Sequence, residues 1–215
     1  MKAPRFFVHA LVVIAVVLAA SAASPPLSFQ ASQGPVPVAV AERMRGHSWH
    51  DGCPTAISDL SYLRLSYFGF DGVVHQGELV VHREVATEVI SIFEALFEQR
   101  FPIEKMRLID DYAGDDDVSM ADNNTSAFNC RFVPGKPGVF SKHSSGHAVD
   151  VNPRINPMIV GTAVFPPSAA AFVDRKKAAP GSLRPGDPTV RTFLRYGWTW
   201  GGAWQSMKDY QHFEK

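Results

Sequence analysis

The sequence predicts one globular domain that contains both β-strands and α-helices. Three observations indicate this mixture. Leu63, Leu65 and Tyr67 alternate with polar residues, as in a half-buried strand. Apolar residues between Val85 and Phe97 recur with helical spacing, and Ala148–Val151 is a short apolar stretch that favours a strand. The length of 215 residues and the charged fraction of 20% are ordinary for one such domain.

The first residues are typical of a targeting segment. Lys2 and Arg5 precede an apolar run over 6–20, and Ala20-Ser21-Ala22 fits a cleavage site. A membrane anchor is the alternative, but the run is shorter than the ~20 residues that a spanning helix needs. We therefore expect a cleaved signal peptide over 1–23, secretion or a periplasmic location in the cell envelope, and no membrane span after cleavage.

A leader and a folded domain follow the signal. Residues 24–45 are rich in Pro, Ser and Gln and show no regular period, so we expect a flexible leader. The domain is expected over 46–215. Leu63–Tyr67 predicts a strand, 70–72 a turn, and 73–82 a short hairpin with Gln76-Gly77 at its centre.

The clearest helix is predicted over 83–100. It has one apolar stripe and ends before Pro102. A strand over 106–109 and a solvated acidic turn over 110–117 are expected next. Asp187-Pro188 favours the start of a short helix that ends before Gly197.

Charge and cysteine content narrow the class of function. Lys+Arg and Asp+Glu both number 21, so no net basic field would attract nucleic acid. The two cysteines, Cys53 and Cys130, are an even count in a chain that we expect to be exported. A disulfide between them is the favoured interpretation, and two buried free thiols are the alternative.

Two stretches that are far apart in the sequence contain the candidate metal-binding and catalytic residues. Ser141 to Asp150 reads Ser-Lys-His-Ser-Ser-Gly-His-Ala-Val-Asp, and Asp209 to His212 reads Asp-Tyr-Gln-His. Two imidazoles and a carboxylate can hold Zn²⁺ and leave a fourth position open. Asp209 is then a spare carboxylate, as hydrolytic zinc chemistry requires.

The pattern Ser-x-His-x-x-Gly-x-Ala-x-Asp, followed by Trp-Gly-Gly and Asp-x-x-His, resembles the M15 zinc peptidases. The stretch Asp122–Arg131, Asp-Asn-Asn-Thr-Ser-Ala-Phe-Asn-Cys-Arg, is similar to one branch of that family. The resemblance implies an α+β fold of the DD-peptidase/hedgehog type, in which a small antiparallel sheet carries a zinc site and is flanked by helices.

The resemblance also implies a function. The chain is expected to be an exported zinc metallopeptidase that hydrolyses peptide bonds in peptidoglycan stem peptides, of the D-alanyl-D-alanine carboxypeptidase type. The alternatives are a peptidoglycan endopeptidase, cutting L-Ala to D-Glu bonds or cross-bridges, and a non-catalytic zinc-containing module that binds cell wall. The expected partner is peptidoglycan or a muropeptide, and the expected state is a monomer.

Site roles follow from the resemblance. His143, Asp150 and His212 are the expected ligands of one Zn²⁺ per chain. Asp209 is expected to move the proton, or alternatively to orient His212. Arg131 is expected to polarise the scissile carbonyl or bind a terminal carboxylate, with a surface salt bridge as the alternative.

The sequence also supports expectations for four further positions. Ser141 matches a motif serine that is implied to contact substrate, with a simple structural hydroxyl as the alternative. His147 is not expected to be a ligand, and His82 is expected to be structural or exposed. Ala203 replaces an aspartate that is frequent in the branch, which puts a local substrate contact in doubt.

Overall fold

The computed structural model describes residue 1 and residues 28–215. The proposed signal peptide over 1–23 lies outside the described residues except for Met1. The α-helices are α1 (Val38–Met44), α2 (Ala86–Glu98), α3 (Asp116–Ala121) and α4 (Pro188–Arg195). The strands are β1 (Ala31–Pro35), β2 (Leu60–Phe68), β3 (Val74–His82), β4 (Lys105–Met106), β5 (Asn124–Thr125), β6 (Ala148–Asp150), β7 (Met158–Val160), β8 (Ala163–Phe165), β9 (Thr199–Trp200), β10 (Lys208–Asp209) and β11 (His212–Glu214).

The architecture is α+β with small, mainly antiparallel sheets. Over residues 28–215 the strands form three sheets of three strands, in the orders β1-β2-β3, β10-β7-β8 and β6-β11-β9, and β4 pairs with β5 in parallel. No helix in this part of the chain combines the length and apolarity needed to cross a bilayer.

Helix α2 is the centre of the main core. Its stripe of Val89, Ile92, Phe93 and Leu96 is buried and packs on the β2–β3 hairpin. Each such side chain contributes about 1.5–3 kcal/mol when it leaves water. The helix predicted over 83–100 is thus confirmed, with ends three residues and two residues inside the predicted ones.

The sheet β6-β11-β9 shares that core through one of its faces. Strand residues alternate between faces, so Val149 of β6 and Phe213 of β11 point inward while their neighbours point away. The ring of Phe213 stacks on Phe193 of α4, with centroids 3.7 Å apart. The outward face therefore rests on a packed apolar base.

The hairpin predicted within 73–82 is wrong. Residues 74–82 form the single strand β3, whose whole length pairs with β2, and the hairpin turn lies at 69–73. Gly77 does not turn the chain. A Cβ at that position would lie 2.5 Å from the Cβ of Met106, so glycine there permits close packing of β4 on β3.

The expectation that 24–45 lacks regular structure is also wrong for part of that range. Ala31–Pro35 pairs with β2 through backbone groups, which requires no apolar alternation, and α1 follows after Pro37. Buried Met44 anchors α1 to a second apolar cluster that contains Cys130. The domain boundaries themselves remain predictions.

Two expectations around the acidic segment need correction. The strand predicted over 106–109 is limited to β4, because Ile109 already begins a 3-10 turn. The segment 110–117 is not only a solvated turn. Asp115 caps α3 by accepting a hydrogen bond from Val118 N, at 3.0 Å, and Asp110 accepts one from Ser48 N, at 3.2 Å.

Candidate metal centre

Three donor side chains meet on the outward face of the sheet β6-β11-β9. Asp150 and His212 are directly opposite each other in the antiparallel pair of β6 and β11, which places their side chains next to each other. His143 comes from the 3-10 turn Lys142–Ser145, which leads into β6. Their donor atoms all lie within 4.8 Å of one another, and all three residues are buried.

The distances within this buried cluster are short. His212 Nδ1 lies 3.0 Å from Asp150 Oδ1, and His143 Nε2 lies 3.2 Å from Asp150 Oδ2. The two imidazoles approach to 3.2 Å between His143 Nε2 and His212 Nδ1. Donors bound to one zinc ion at 2.0–2.1 Å in a tetrahedral arrangement lie ~3.3 Å apart. The spacing therefore fits a single shared cation.

Outer partners fix which nitrogen of each ring faces the centre. His143 Nδ1 bonds to the carbonyl of Ala127, so it carries the proton and leaves the Nε2 lone pair for the centre. His212 Nε2 lies 3.1 Å from Glu214 Oε2, so Nε2 donates and Nδ1 faces Asp150. His212 and Glu214 share a face because they are two residues apart in β11.

The buried cluster shifts the pKa values of its members. Burial alone would raise the pKa of Asp150, but His143 and His212 outweigh it and hold this pKa below its usual range. Burial opposes the charged form of His212, yet hydrogen bonds with Asp150 and Glu214 raise its pKa to about 10. The metal-free cluster thus holds a proton that a cation would displace.

Asp209 lies close to this cluster, at the end of β10. Burial, supported by the negative charge of Asp150, raises its pKa to about 7, while His212 opposes the shift. Its Oδ1 atom is buried and has no hydrogen-bond partner among the described residues. Such an orphaned polar atom in a folded interior requires an explanation, which can be a water, an ion or a catalytic role.

Ser141 and Arg131 flank the turn that carries His143. The Ser141 hydroxyl accepts a hydrogen bond from His143 N, at 3.3 Å, and so caps the 3-10 turn. Arg131 forms an ion pair with Asp116 of α3, at 2.6 Å, and its backbone N–H donates to Ser144 Oγ. The structure thus contains the salt bridge that was the alternative interpretation of Arg131.

The cysteines form a disulfide, Cys53–Cys130, which joins the segment after α1 to the residue before Arg131.

Of the tryptophans, Trp198 and Trp200 belong to the core, whereas Trp204 lies beside the buried cluster, with its ring 5.4 Å from that of His212. The sequence predicted neither Glu214 nor the Ala127 carbonyl as outer partners. Glu214 could have been predicted from its position two residues after His212 in a strand, because such residues share a face.

Gly146 supports the geometry through a tight backbone approach. It has φ +71°, and a Cβ there would lie 2.4 Å from His82 N. Glycine fits both the positive φ and the close approach to the His82 backbone without strain. The turn that carries His143 is therefore pressed against the end of β3.

One family model is similar to the part of the chain that contains this cluster. A search of curated proteins and a search of solved structures found no match to the chain. The family model described as D-alanyl-D-alanine carboxypeptidase matches residues 134–215, a segment that includes His143, Asp150, Asp209 and His212. The match covers less than half of the chain, and over this segment it supports an M15 family peptidase.

Proposed function

We propose that the chain is an exported zinc metallopeptidase that cleaves peptide bonds in peptidoglycan stem peptides, of the D-alanyl-D-alanine carboxypeptidase type. One observation carries the proposal. Two imidazoles and a carboxylate converge in a buried cluster, with a second buried carboxylate, Asp209, beside them. The family match over residues 134–215 supports a peptidase, and the substrate class is taken from the family's description.

His143, Asp150 and His212 are the proposed ligands of one zinc ion. The donor set suits zinc, and Ala127 and Glu214 hold both rings with a nitrogen lone pair toward the centre. A zinc ion bound there supplies Lewis-acid chemistry, which acidifies water and polarises a carbonyl. Three protein ligands leave a position for exchange, as catalytic sites require.

Asp209 is the proposed proton carrier. A general base must lie within reach of the water that it deprotonates, and Asp209 is a buried carboxylate beside the three proposed ligands. Its partnerless Oδ1 is available to take a proton from the attacking water and return it to the leaving amine. The alternative role, orienting His212, is weaker because Glu214 and Asp150 already bond to both ring nitrogens of His212.

Arg131 is proposed to bind the substrate's carbonyl or terminal carboxylate. Its ion pair with Asp116 leaves other guanidinium donors, and Nε is buried without a hydrogen-bond partner in the described part of the chain. Ser141 accepts a hydrogen bond from His143 N, so its own hydroxyl proton is available for a substrate oxygen. The ion pair with Asp116 would hold Arg131 in place for this task.

Export is proposed from the sequence of residues 1–23 and agrees with the disulfide Cys53–Cys130, since such bonds persist in oxidising compartments. The proposed location is the cell envelope or the medium. N-terminal sequencing of the protein recovered from outside the cytoplasm tests this. A chain that still begins at Met1 would refute cleavage.

The test of function uses the purified chain, defined muropeptides and mass spectrometry of the products. We expect loss of a terminal D-alanine, abolished by a chelator and restored by zinc. Asp209→Asn should lower the rate by about 100–10,000-fold and keep the zinc content. Products cut inside the stem or cross-bridge would replace the carboxypeptidase by the endopeptidase. A zinc-loaded chain that cleaves no muropeptide would refute the peptidase and favour the binding module.

A further inference from the structure

A second group of two histidines and one carboxylate lies outside the proposed active site. His82 ends β3, Glu84 follows it by two residues, and His147 lies between the 3-10 turn Lys142–Ser145 and β6. Glu84 Oε2 lies 3.5 Å from His82 Nδ1 and 3.8 Å from His147 Nε2. The two rings lie against each other, with centroids 4.6 Å apart and planes inclined by 28°. We call these residues the rim cluster.

The backbone holds the rim cluster together. His82 N donates to Gly146 O at 2.9 Å, which joins the end of β3 to the segment that bears His147. His147 Nδ1 lies 2.8 Å from the Ser145 carbonyl oxygen, so Nδ1 carries the proton there. The Nε2 lone pair of His147 is therefore free on the side that faces Glu84. Metal-binding histidines are commonly held by a carbonyl in this manner.

Movement of its side chains would close the rim cluster on an ion. Donor atoms around a tetrahedral zinc lie ~3.3 Å apart, whereas two of the spacings here are 3.5 and 3.8 Å and all three donors lie within 4.8 Å of one another. His82 Nδ1 also accepts a long hydrogen bond from Glu84 N, at 3.4 Å, which the ion would replace. Glu84 has 72% of its side chain exposed and is free to rotate inward, while the two imidazoles are mostly buried. Imidazole and carboxylate donors together suit divalent ions of the first transition row, zinc among them.

We propose that His82, Glu84 and His147 form a second binding site for a divalent transition-metal ion, with Zn²⁺ as the ion to be tested. The ion would join the end of β3 to the segment between His143 and Asp150. The site is weaker than the buried cluster, because Glu84 must lose side-chain freedom on binding. The proposal does not depend on the peptidase function, since it involves none of the proposed catalytic residues.

Zinc titration of the untagged, metal-stripped chain by isothermal calorimetry tests the proposal. The wild type should bind two equivalents, one tightly and one weakly. Glu84→Gln should weaken the second equivalent ~10-fold or more, and His147→Asn should remove it. Because Glu84 is exposed, its variant tests the site even where His147→Asn fails to fold. His75→Gln is the matched control, because His75 lies on the same strand but pairs with Asp71, and it should bind like the wild type.

Asp150→Asn separates this site from the buried one. It should lose the tight equivalent and keep the weak one, whatever the chain's catalytic activity. A single equivalent in the wild type would overturn the proposal. So would a second equivalent that is bound equally well by the wild type, Glu84→Gln and His147→Asn.

Discussion

The buried cluster and the rim cluster contain the same donor types in different surroundings. His143, Asp150 and His212 are each at most 6% exposed, whereas the Glu84 side chain is 72% exposed. In the buried cluster, both imidazoles have an outer partner and the carboxylate contacts both rings. The comparison predicts that donor identity alone does not set the affinity for an ion. Burial and a second layer of hydrogen bonds fix the donors before an ion arrives.

The strongest test of this contrast removes the central carboxylate of the buried cluster. Asp150→Asn should abolish tight zinc binding and hydrolysis, because it replaces a proposed anionic ligand by a neutral amide and removes the negative charge that faces both imidazoles. The loss of affinity should exceed the roughly 100-fold that an outer partner gives. Metal analysis after dialysis and muropeptide assays measure both effects. Asp71→Asn, which removes the carboxylate of an exposed Asp–His contact, is the control. Stoichiometric zinc in Asp150→Asn would remove Asp150 from the ligand set.

A milder test removes only an outer partner. Glu214→Gln keeps the shape of the side chain but weakens the hold on His212 Nε2, so zinc affinity should fall by about 10–100-fold. Competition with a zinc-binding dye measures this change. Glu98→Gln, an exposed glutamate at the end of α2, should bind zinc like the wild type. Equal affinity in Glu214→Gln and the wild type would show that burial alone organises the site.

The pH dependence of stability tests the electrostatics of the buried cluster. Without metal, stability should fall as pH rises from 3.8 to about 7, because folding raises the pKa of Asp209 and ionisation is then unfavourable in the fold. It should fall again from pH 6.5 to about 10, because His212, whose pKa is raised, loses its proton there.

Thermal unfolding of the protein in the presence of a chelator, followed across this pH range, measures both losses of stability. Asp209→Asn is the matched variant. Its stability should not fall between pH 3.8 and 7, but it should still fall between pH 6.5 and 10. Zinc should oppose the fall at high pH, since its ligands must be deprotonated. Melting curves that do not change between pH 6.5 and 10 would contradict the raised pKa of His212.

The smallest expected effect concerns the turn that carries His143. Ser141→Ala removes its capping hydroxyl and should lower the free energy of unfolding by about 1 kcal/mol. Denaturant unfolding measures this difference. Ser91→Ala, which removes an exposed hydroxyl that bonds within α2, is the control and should change stability little. A Ser141→Ala protein as stable as that control would show that the backbone, pressed at Gly146, holds the turn without the cap.

The helical repeat of apolar residues and the spacing of the His and Asp residues support most of the correct predictions. The stripe of α2 was readable because each turn of a helix repeats the same apolar face. The spacing between His143 and Asp150, and between Asp209 and His212, was readable through resemblance to a family. The hairpin predicted within 73–82 is wrong because Gly77, which has a local turn preference, lies inside a strand. Its packing against Met106 is a contact that becomes visible only in three dimensions.

The sequence by itself determined the α2 core and the short strand β6, because these depend on local period. Resemblance to a family, not local pattern, named His143, Asp150 and His212 as expected ligands. Only the tertiary structure decided that Asp150 and His212 are opposite partners, that Glu214 and the Ala127 carbonyl orient the rings, and that His82 meets His147. The physical reason is that these contacts join residues distant along the chain. Strand register and backbone approach set such contacts, and no local pattern encodes either.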